Sequence, residues 1–366
     1  MKKSLFMCLA LLMAATAARA GDFDALKARL AADGVPRAQL DDVFSNPRVA
    51  FTPDAMGKKL LEMYTRKFGS AVVLEMQKRL ADLGYFFGKA DGRPDTVLRT
   101  GIRTFQKDHG LPEDGRLSMD LLTLARQERK KAGPETSARL KELADKGPPD
   151  IYESILQPER LAEAREFLDA NRKVLEEVRA RYGVPPELAV GLLTLETRVG
   201  RFLGENTAFN NLASMAASTS SAKVMSVFDG ETVTPGQAAW LDKQAAGKAD
   251  WAYKELKALF KYGRDNHLEI AALPGSIYGA IGISQFMPTS ILVFGMDGDG
   301  DGRIDIFTVP DAVHSMANYL RKHGFSGNLD DEATMREALF RYNHSQTYVN
   351  TIMALFHYLK GGPARP

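Results

Sequence analysis

The stretch "AVGLLTLETRVG", residues 189–200, ends an apolar run with an acid. Just upstream, "RYGVPPEL" supplies a stop at Gly183 and a restart at Pro185-Pro186, a pair suited to the first turn of a helix. On a helix begun there, Leu188, Leu192, Leu195, Glu196 and Val199 share one stripe, so Glu196 belongs to the apolar face. Arg198 projects about 200° away from it and is no obvious partner. Two readings stay open here. One is a carboxyl group desolvated among leucines, whose raised pKa suits a general acid. The other is a buried Glu paired with a cation from elsewhere in the chain.

Outward from this stretch, the pattern from residue 151 onward is helical with few strand signals. Residues 161–200 read as two long helices broken at Gly183. Residues 22–64 read as short helices, "FDALKARLAADG" placing Phe23, Leu26 and Leu30 at helical spacing and closing on Gly34. Between the two lies "VVLEMQKRLADLGYFFGKADGRPDTVLRTGIRTFQKDHGLPEDGRLSMDLLTLAR", residues 72–126. It holds two amphipathic segments and two Asp-Gly turns, Asp91-Gly92 and Asp114-Gly115. Leu74, Leu80 and Leu83 line the first segment; Ile102 and Phe105 lie on the second. A polar stretch ending in Pro148-Pro149 follows and reads as a linker or an exposed helix.

The 366 residues suffice for two domains, and 45% apolar with 26% charged residues is an ordinary globular balance. The N-terminus differs in character. Lys2 and Lys3 precede an apolar stretch over residues 4–17 and the cleavage signal Ala18-Arg19-Ala20, the pattern of a secretory signal peptide. Cys8, the sole cysteine, follows Met7 near the start of the apolar stretch, which argues against a lipid anchor. Cleavage after Ala20 leaves 45 basic against 46 acidic residues, a formal charge of −1, and no thiol. That balance speaks against nucleic-acid binding.

Three further segments carry chemistry. "GSIYGAIGISQFMPTS", residues 275–290, joins a small-residue turn to Gln285-Phe286-Met287-Pro288. "FRYNHSQTYV", residues 340–349, places Tyr342, Asn343 and Tyr348 together. "DGDGDGRID", residues 297–305, puts Asp297, Asp299 and Asp301 at positions 1, 3 and 5 of an EF-hand-type loop, with Gly302 at position 6 and the Arg303 carbonyl at position 7. Thr308 stands where such a loop has its bidentate Glu. The alternative is a solvated acidic turn.

Two resemblances follow. Gln77, Leu80, Leu83-Gly84-Tyr85, Asp91-Gly92, Thr96, Phe105-Gln106, Gly110-Leu111 and Asp114-Gly115 make residues 70–126 similar to a three-helix peptidoglycan-binding module. "LETRVG", the QFMP segment, the acidic loop and the YNHS segment, in this order, resemble the lytic murein transglycosylase B family. The second resemblance covers residues 150–360 and extends to 22–55, as if the wall-binding module were inserted into the family domain.

What the resemblance implies is specific. The fold is mainly α, α+β and lysozyme-like, with a signal peptide at 1–20, an N-terminal helical part at 21–64, the module at 70–126, a linker at 127–149 and the catalytic domain at 150–362. The reaction is cleavage of the β-1,4 bond between N-acetylmuramic acid and N-acetylglucosamine with formation of a 1,6-anhydro end. Glu196 is its lone acid and then base, where ordinary glycosidases use two carboxylates. Ser276, Gln285, Tyr342, Asn343 and Tyr348 fall where the family lines its sugar cleft, and Val199 where relatives carry an aromatic. Asp311 matches the family's late ligand of a structural calcium ion, completing a set with Asp297, Asp299, Asp301 and Arg303. The expected partner is the glycan strand and the expected location the periplasm, with no stable membrane anchor. A hydrolytic muramidase using water, or a wall-binding scaffold without activity, are the competing readings.

Overall fold

The computed structural model of the chain describes residues 22–147, 150–324 and 331–362. The expected signal peptide, Cys8 and Pro148-Pro149 lie outside these residues. Among the described residues the chain is mainly α, as the sequence predicts. It runs through α1 (Asp24–Ala32), α2 (Arg37–Ser45), α3 (Asp54–Phe68), α4 (Ala71–Leu83), α5 (Thr96–Asp108), α6 (Met119–Gln127) and α7 (Pro134–Lys146). It continues through α8 (Pro158–Ala170), α9 (Arg172–Tyr182), α10 (Pro186–Thr197), α11 (Ala208–Ala217) and α12 (Pro235–Asp265). The last helices are α13 (Pro288–Phe294), α14 (Val309–Lys322), α15 (Glu332–Tyr342) and α16 (Gln346–Leu359). Contacts divide the chain into two units. The smaller holds residues 56–149 and 218–247, the larger the described parts of 1–55, 150–217 and 248–366.

In the larger unit α10 is central. Pro186 opens it, where the missing N–H costs no bond, and Glu187 faces the positive end of the helix dipole. Leu188, Ala189, Val190, Leu192 and Leu193 are all fully buried, so the helix is covered nearly all round and not along one stripe. It packs on α16 and α8, while α9 packs on α14 and α15 on α16. At Gly191 α10 runs close against α16: a Cβ there would lie 3.3 Å from Ile352 Cγ2. Three helices stand where the sequence predicts two, because Asn171 leaves helical geometry (φ −112°, ψ 18°) and divides α8 from α9. Two short strands, β1 (Asn206–Thr207) and β2 (Pro274–Gly275), pair antiparallel with Asn206 opposite Gly275. They anchor the start of the 275–290 segment, whose Ile281 bridges to Gly275 and Phe286.

In the smaller unit, α4, α5 and α6 each begin on a side-chain cap: Ser70 accepts from Val73 N, Asp95 from Leu98 N and Ser118 from Leu121 N. The core gathers Met76, Leu80, Leu83, Ile102, Phe105 and Leu122. Met76, four and seven residues before Leu80 and Leu83, joins this core in place of the expected Leu74, which is off that helical face and half-buried. One device recurs: Gln77 Oε1 accepts from Gly92 N and Gln106 Oε1 from Gly115 N, each at 2.8 Å. Both glutamines are buried, so each amide side chain holds an Asp-Gly turn against its helix. The polar stretch after residue 127 contains α7, an exposed helix that sends Leu140 into the same core.

Candidate active site

Glu196 lies in the last turn of α10, where it lines a cavity of about 350 Å³ together with Tyr152, Ser154, Ile155, Leu195, Asn343 and Tyr348. The packing of α10 on α16 brings Tyr348 to it. The tyrosine O–H donates to Glu196 Oε1 at 2.7 Å, across 152 residues of sequence. Burial raises the Glu196 pKa above the ordinary glutamate value, and the hydrogen bond from Tyr348 opposes that rise only in part. Of the two readings open in the sequence, the cation-paired Glu is not what forms, because the partner is a neutral phenol.

Other shielded carboxylates differ. Glu163 takes the Arg198 guanidinium, Glu255 takes the N–H and O–H of Thr289, and Asp311 takes two backbone N–H groups. Glu196 alone of these four faces the cavity, and among the described residues it is the only acid lining it. A larger concavity of about 750 Å³ is lined by Glu332, Arg336, Met353 and His357, among others. Of its two acids among the described residues, Glu332 is paired with Arg336 at 2.8 Å and His357 at 3.4 Å, and Asp150 is exposed, so neither is shielded as Glu196 is.

The YNHS segment converges on this site. Tyr348 is 2% exposed and lies nearly parallel to Tyr342, with ring centroids 6.3 Å apart and planes at 12°. Tyr342 O–H donates to Ser284 O at 3.2 Å, and its ring meets Tyr319 edge-on at 5.2 Å. Asn343 lines the cavity directly. Ser276 and Gln285 do not line it. Ser276 Oγ accepts from Ala280 N at 3.0 Å, closing its own turn. Gln285 adopts a left-handed φ of 49° and donates from Nε2 to Gly282 O at 3.1 Å. Val199 is off the α10 stripe altogether: the helix ends at Thr197, and Val199 is buried in a left-handed turn with φ of 51°.

Three lining residues escape the sequence reading: Tyr152, Ser154 and Ile155. They stand in an irregular segment with no motif, directly after the Pro-Pro pair. Tyr152 is 39% exposed, and its N–H donates to Thr351 Oγ1 of α16 at 2.9 Å, which fixes it beside the cavity. An aromatic just inside the start of a domain was the one available signal.

In the acidic loop, carboxylate oxygens of Asp297, Asp299 and Asp311 lie within 4.8 Å of one another. Asp301 stays out of that cluster, its Oδ1 accepting from Arg303 N at 2.8 Å, and Arg303 is exposed. Thr308 turns its hydroxyl to Asp305 O and precedes α14, whose first turn supplies Asp311. Burial, then the charges of Asp299 and Asp297, raise the Asp311 pKa. Backbone N–H groups, Gly302 foremost, lower that of Asp297.

The family described as "Transglycosylase SLT domain" matches residues 123–337, and a peptidoglycan binding domain matches residues 69–124. Over 144 residues the chain is 31% identical to membrane-bound lytic murein transglycosylase B of Escherichia coli K12, covering 39% of this chain and 33% of that protein. It therefore spans about a third of that relative's length. Among solved structures it resembles Escherichia coli lytic transglycosylase Slt35 in complex with calcium, at TM-score 0.46 and 20% identity over 77% of this chain and 97% of that one. It also resembles SltB3 of Pseudomonas aeruginosa in complex with NAG-anhNAM-pentapeptide, at TM-score 0.45 and 22% identity over 60% and 70% of the two chains. The first of these matches takes in more than half of the residues, with Glu196, the QFMP segment and the acidic loop inside it, and the chain belongs to the transglycosylase SLT domain family.

Proposed function

We propose that the chain is a lytic transglycosylase of peptidoglycan. The observation that carries this reading is Glu196, the one acid among the described residues that lines this cavity, whose pKa burial raises and whose carboxyl Tyr348 holds. Glu196 protonates the glycosidic oxygen between N-acetylmuramic acid and N-acetylglucosamine as the C1–O bond breaks. The resulting carboxylate then takes the proton of the muramoyl C6 hydroxyl, whose oxygen bonds to C1. Glu196 ends protonated as it began, and no water is consumed. A hydrolytic route of the ordinary kind needs a second carboxylate, and among the described residues no second one lines this cavity.

Tyr152 supplies a flat face and a hydroxyl for sugar rings and Asn343 an amide for acetamido groups, while Tyr348, with Tyr342 behind it, forms the wall that carries the bond to Glu196. Ser276 and Gln285 shape the neighbouring turn of the cleft. The residues of the acidic loop fit a hard divalent cation: three convergent carboxylates, one of them buried beside two others, form a donor set for calcium. Asp297, Asp299 and Asp311 would hold it, and its positive charge would relieve their repulsion and brace the loop after the QFMP segment. The module at 70–126 keeps the enzyme on the insoluble wall, raising the effective concentration of its substrate. A protein acting on that polymer would work at the cell wall, and the periplasm is the location that fits this reading.

Mass spectrometry of digested sacculi tests the reading. Anhydro ends are one water lighter than reducing ends, and finding only reducing ends would make the protein a hydrolase. Lysis by Glu196→Gln equal to wild type would leave a wall-binding scaffold.

A further inference from the structure

The turn after Glu196 is held in a way that the proton transfers themselves do not use. Beyond Thr197 the chain takes three successive residues with positive φ: Arg198 (55°), Val199 (51°) and Gly200 (86°). Only the last is glycine, and the left-handed region is disfavoured for other residues, above all a β-branched one. Such a run persists where its surroundings over-determine it. Here they do so from two sides. Thr197 Oγ1 donates to Ile283 O at 2.7 Å and accepts from Gly200 N at 3.0 Å, tying the turn to the 275–290 segment. On the other side Arg198 reaches α8, where Glu159, Glu163 and Glu166 share one face. Its Nε donates to Glu163 Oε2 at 2.5 Å and its Nη2 to Glu163 Oε1 at 2.6 Å, a fork-to-fork pair, and Glu159 accepts from Nη2 as well. Glu163 is only 9% exposed.

We infer that the Glu163–Arg198 pair positions Glu196 for reaction, fixing the end of α10 in its left-handed turn while keeping the guanidinium charge away from the acid. The inference rests on the reading of Glu196 as acid and base. The arrangement answers a conflict. A cation facing Glu196 would favour its ionised form and strip the proton the first step needs. Burial and then the Tyr348 hydrogen bond act on Glu196, while the Arg198 guanidinium is engaged by two carboxylates of α8. The clamp therefore supplies rigidity without charge. The clamped residue is two positions from Glu196, whose carboxyl must meet both Tyr348 O–H at 2.7 Å and the sugar. A slip of about 1 Å at the helix end is enough to lose that alignment. Glu163 and Arg198 are positioning residues, not catalytic ones.

The test compares Arg198→Ala, Arg198→Lys and Glu163→Gln with wild type and with Glu196→Gln on soluble glycan strands. Arg172→Ala, which breaks an exposed pair with Asp169, is the control and should be unchanged. Positioning predicts a kcat loss of about 10- to 100-fold in the alanine and glutamine variants with KM unchanged. Lysine, which keeps the charge but not the fork, should recover part of it. Thermal melts and circular dichroism report the folded fraction. Unchanged kcat, a loss confined to KM, or a loss matching the unfolded fraction overturns the inference. Should Arg198→Ala not fold, Arg198→Lys and Glu163→Gln decide by the same criteria. Inactive Glu196→Gln beside fully active clamp variants overturns the clamp alone, whereas active Glu196→Gln overturns the proposed function itself.

Discussion

Removing the Tyr348 hydroxyl is the smallest change that reaches the proposed chemistry. In Tyr348→Phe the ring stays in place, buried and stacked on Tyr342, so the perturbation is the loss of one donor at 2.7 Å from Glu196. A hydrogen bond to a charged partner contributes about 1.5–3 kcal/mol, and each 1.36 kcal/mol is tenfold in rate. If that bond aligns the acid and steadies the carboxylate formed after the first step, kcat falls by about 10- to 100-fold. The sign of the pH effect is also determined. The bond stabilises the ionised form, so its loss raises the Glu196 pKa further, and the alkaline limb of the kcat profile moves to higher pH. The assay is initial rate on soluble glycan strands across pH, with ends identified by mass. An unchanged plateau, or an alkaline limb that moves to lower pH, refutes the reasoning.

Glu196→Gln should cost about 10²- to 10⁴-fold in kcat yet stabilise the fold. A carboxyl whose pKa is raised in the native state lends full stability below the ordinary value of 4.5 and loses it as pH rises through the native value. Urea unfolding should therefore show the variant matching wild type in acid and exceeding it at neutral pH; equality at both would count against a desolvated acid. Calcium at a hundredfold excess over Kd should stabilise by about 2.7 kcal/mol, about 5–10 °C in a unit of this size. EDTA should reverse the gain in wild type and do nothing to Asp311→Asn; a melting temperature indifferent to chelation removes the ion. Phe105→Ala, at a fully buried core position, should destabilise the smaller unit by about 3–5 kcal/mol. Sacculus pull-down should weaken while cleavage of soluble strands persists, and unimpaired pull-down would detach wall binding from this module.

Short-range pattern made much of the molecule legible. The Pro186 start, the Asp91-Gly92 and Asp114-Gly115 turns and the place of Glu196 among leucines all follow from chemistry within a few residues. Where a prediction slipped, helical phase or a helix end decided. Met76 and not Leu74 joins the module core because it stands four and seven residues before Leu80 and Leu83, on their face of the helix. Asn171 broke a helix that composition would have continued. Val199 left its stripe because α10 ended two residues earlier than the apolar pattern.

The sequence by itself determined that an acid stands in an apolar run and that aspartates alternate in one loop, since both are properties of neighbours along the chain. Only the tertiary structure decided what these groups meet. Tyr348 reaches Glu196 because α10 and α16 pack closely at Gly191, Arg198 turns to Glu163 because the helix ends in left-handed geometry, and Asp311 joins Asp297 and Asp299 while Asp301 does not. Periodicity gives the direction in which a side chain leaves its helix, and the facing partner is set by which distant helix fills the space opposite.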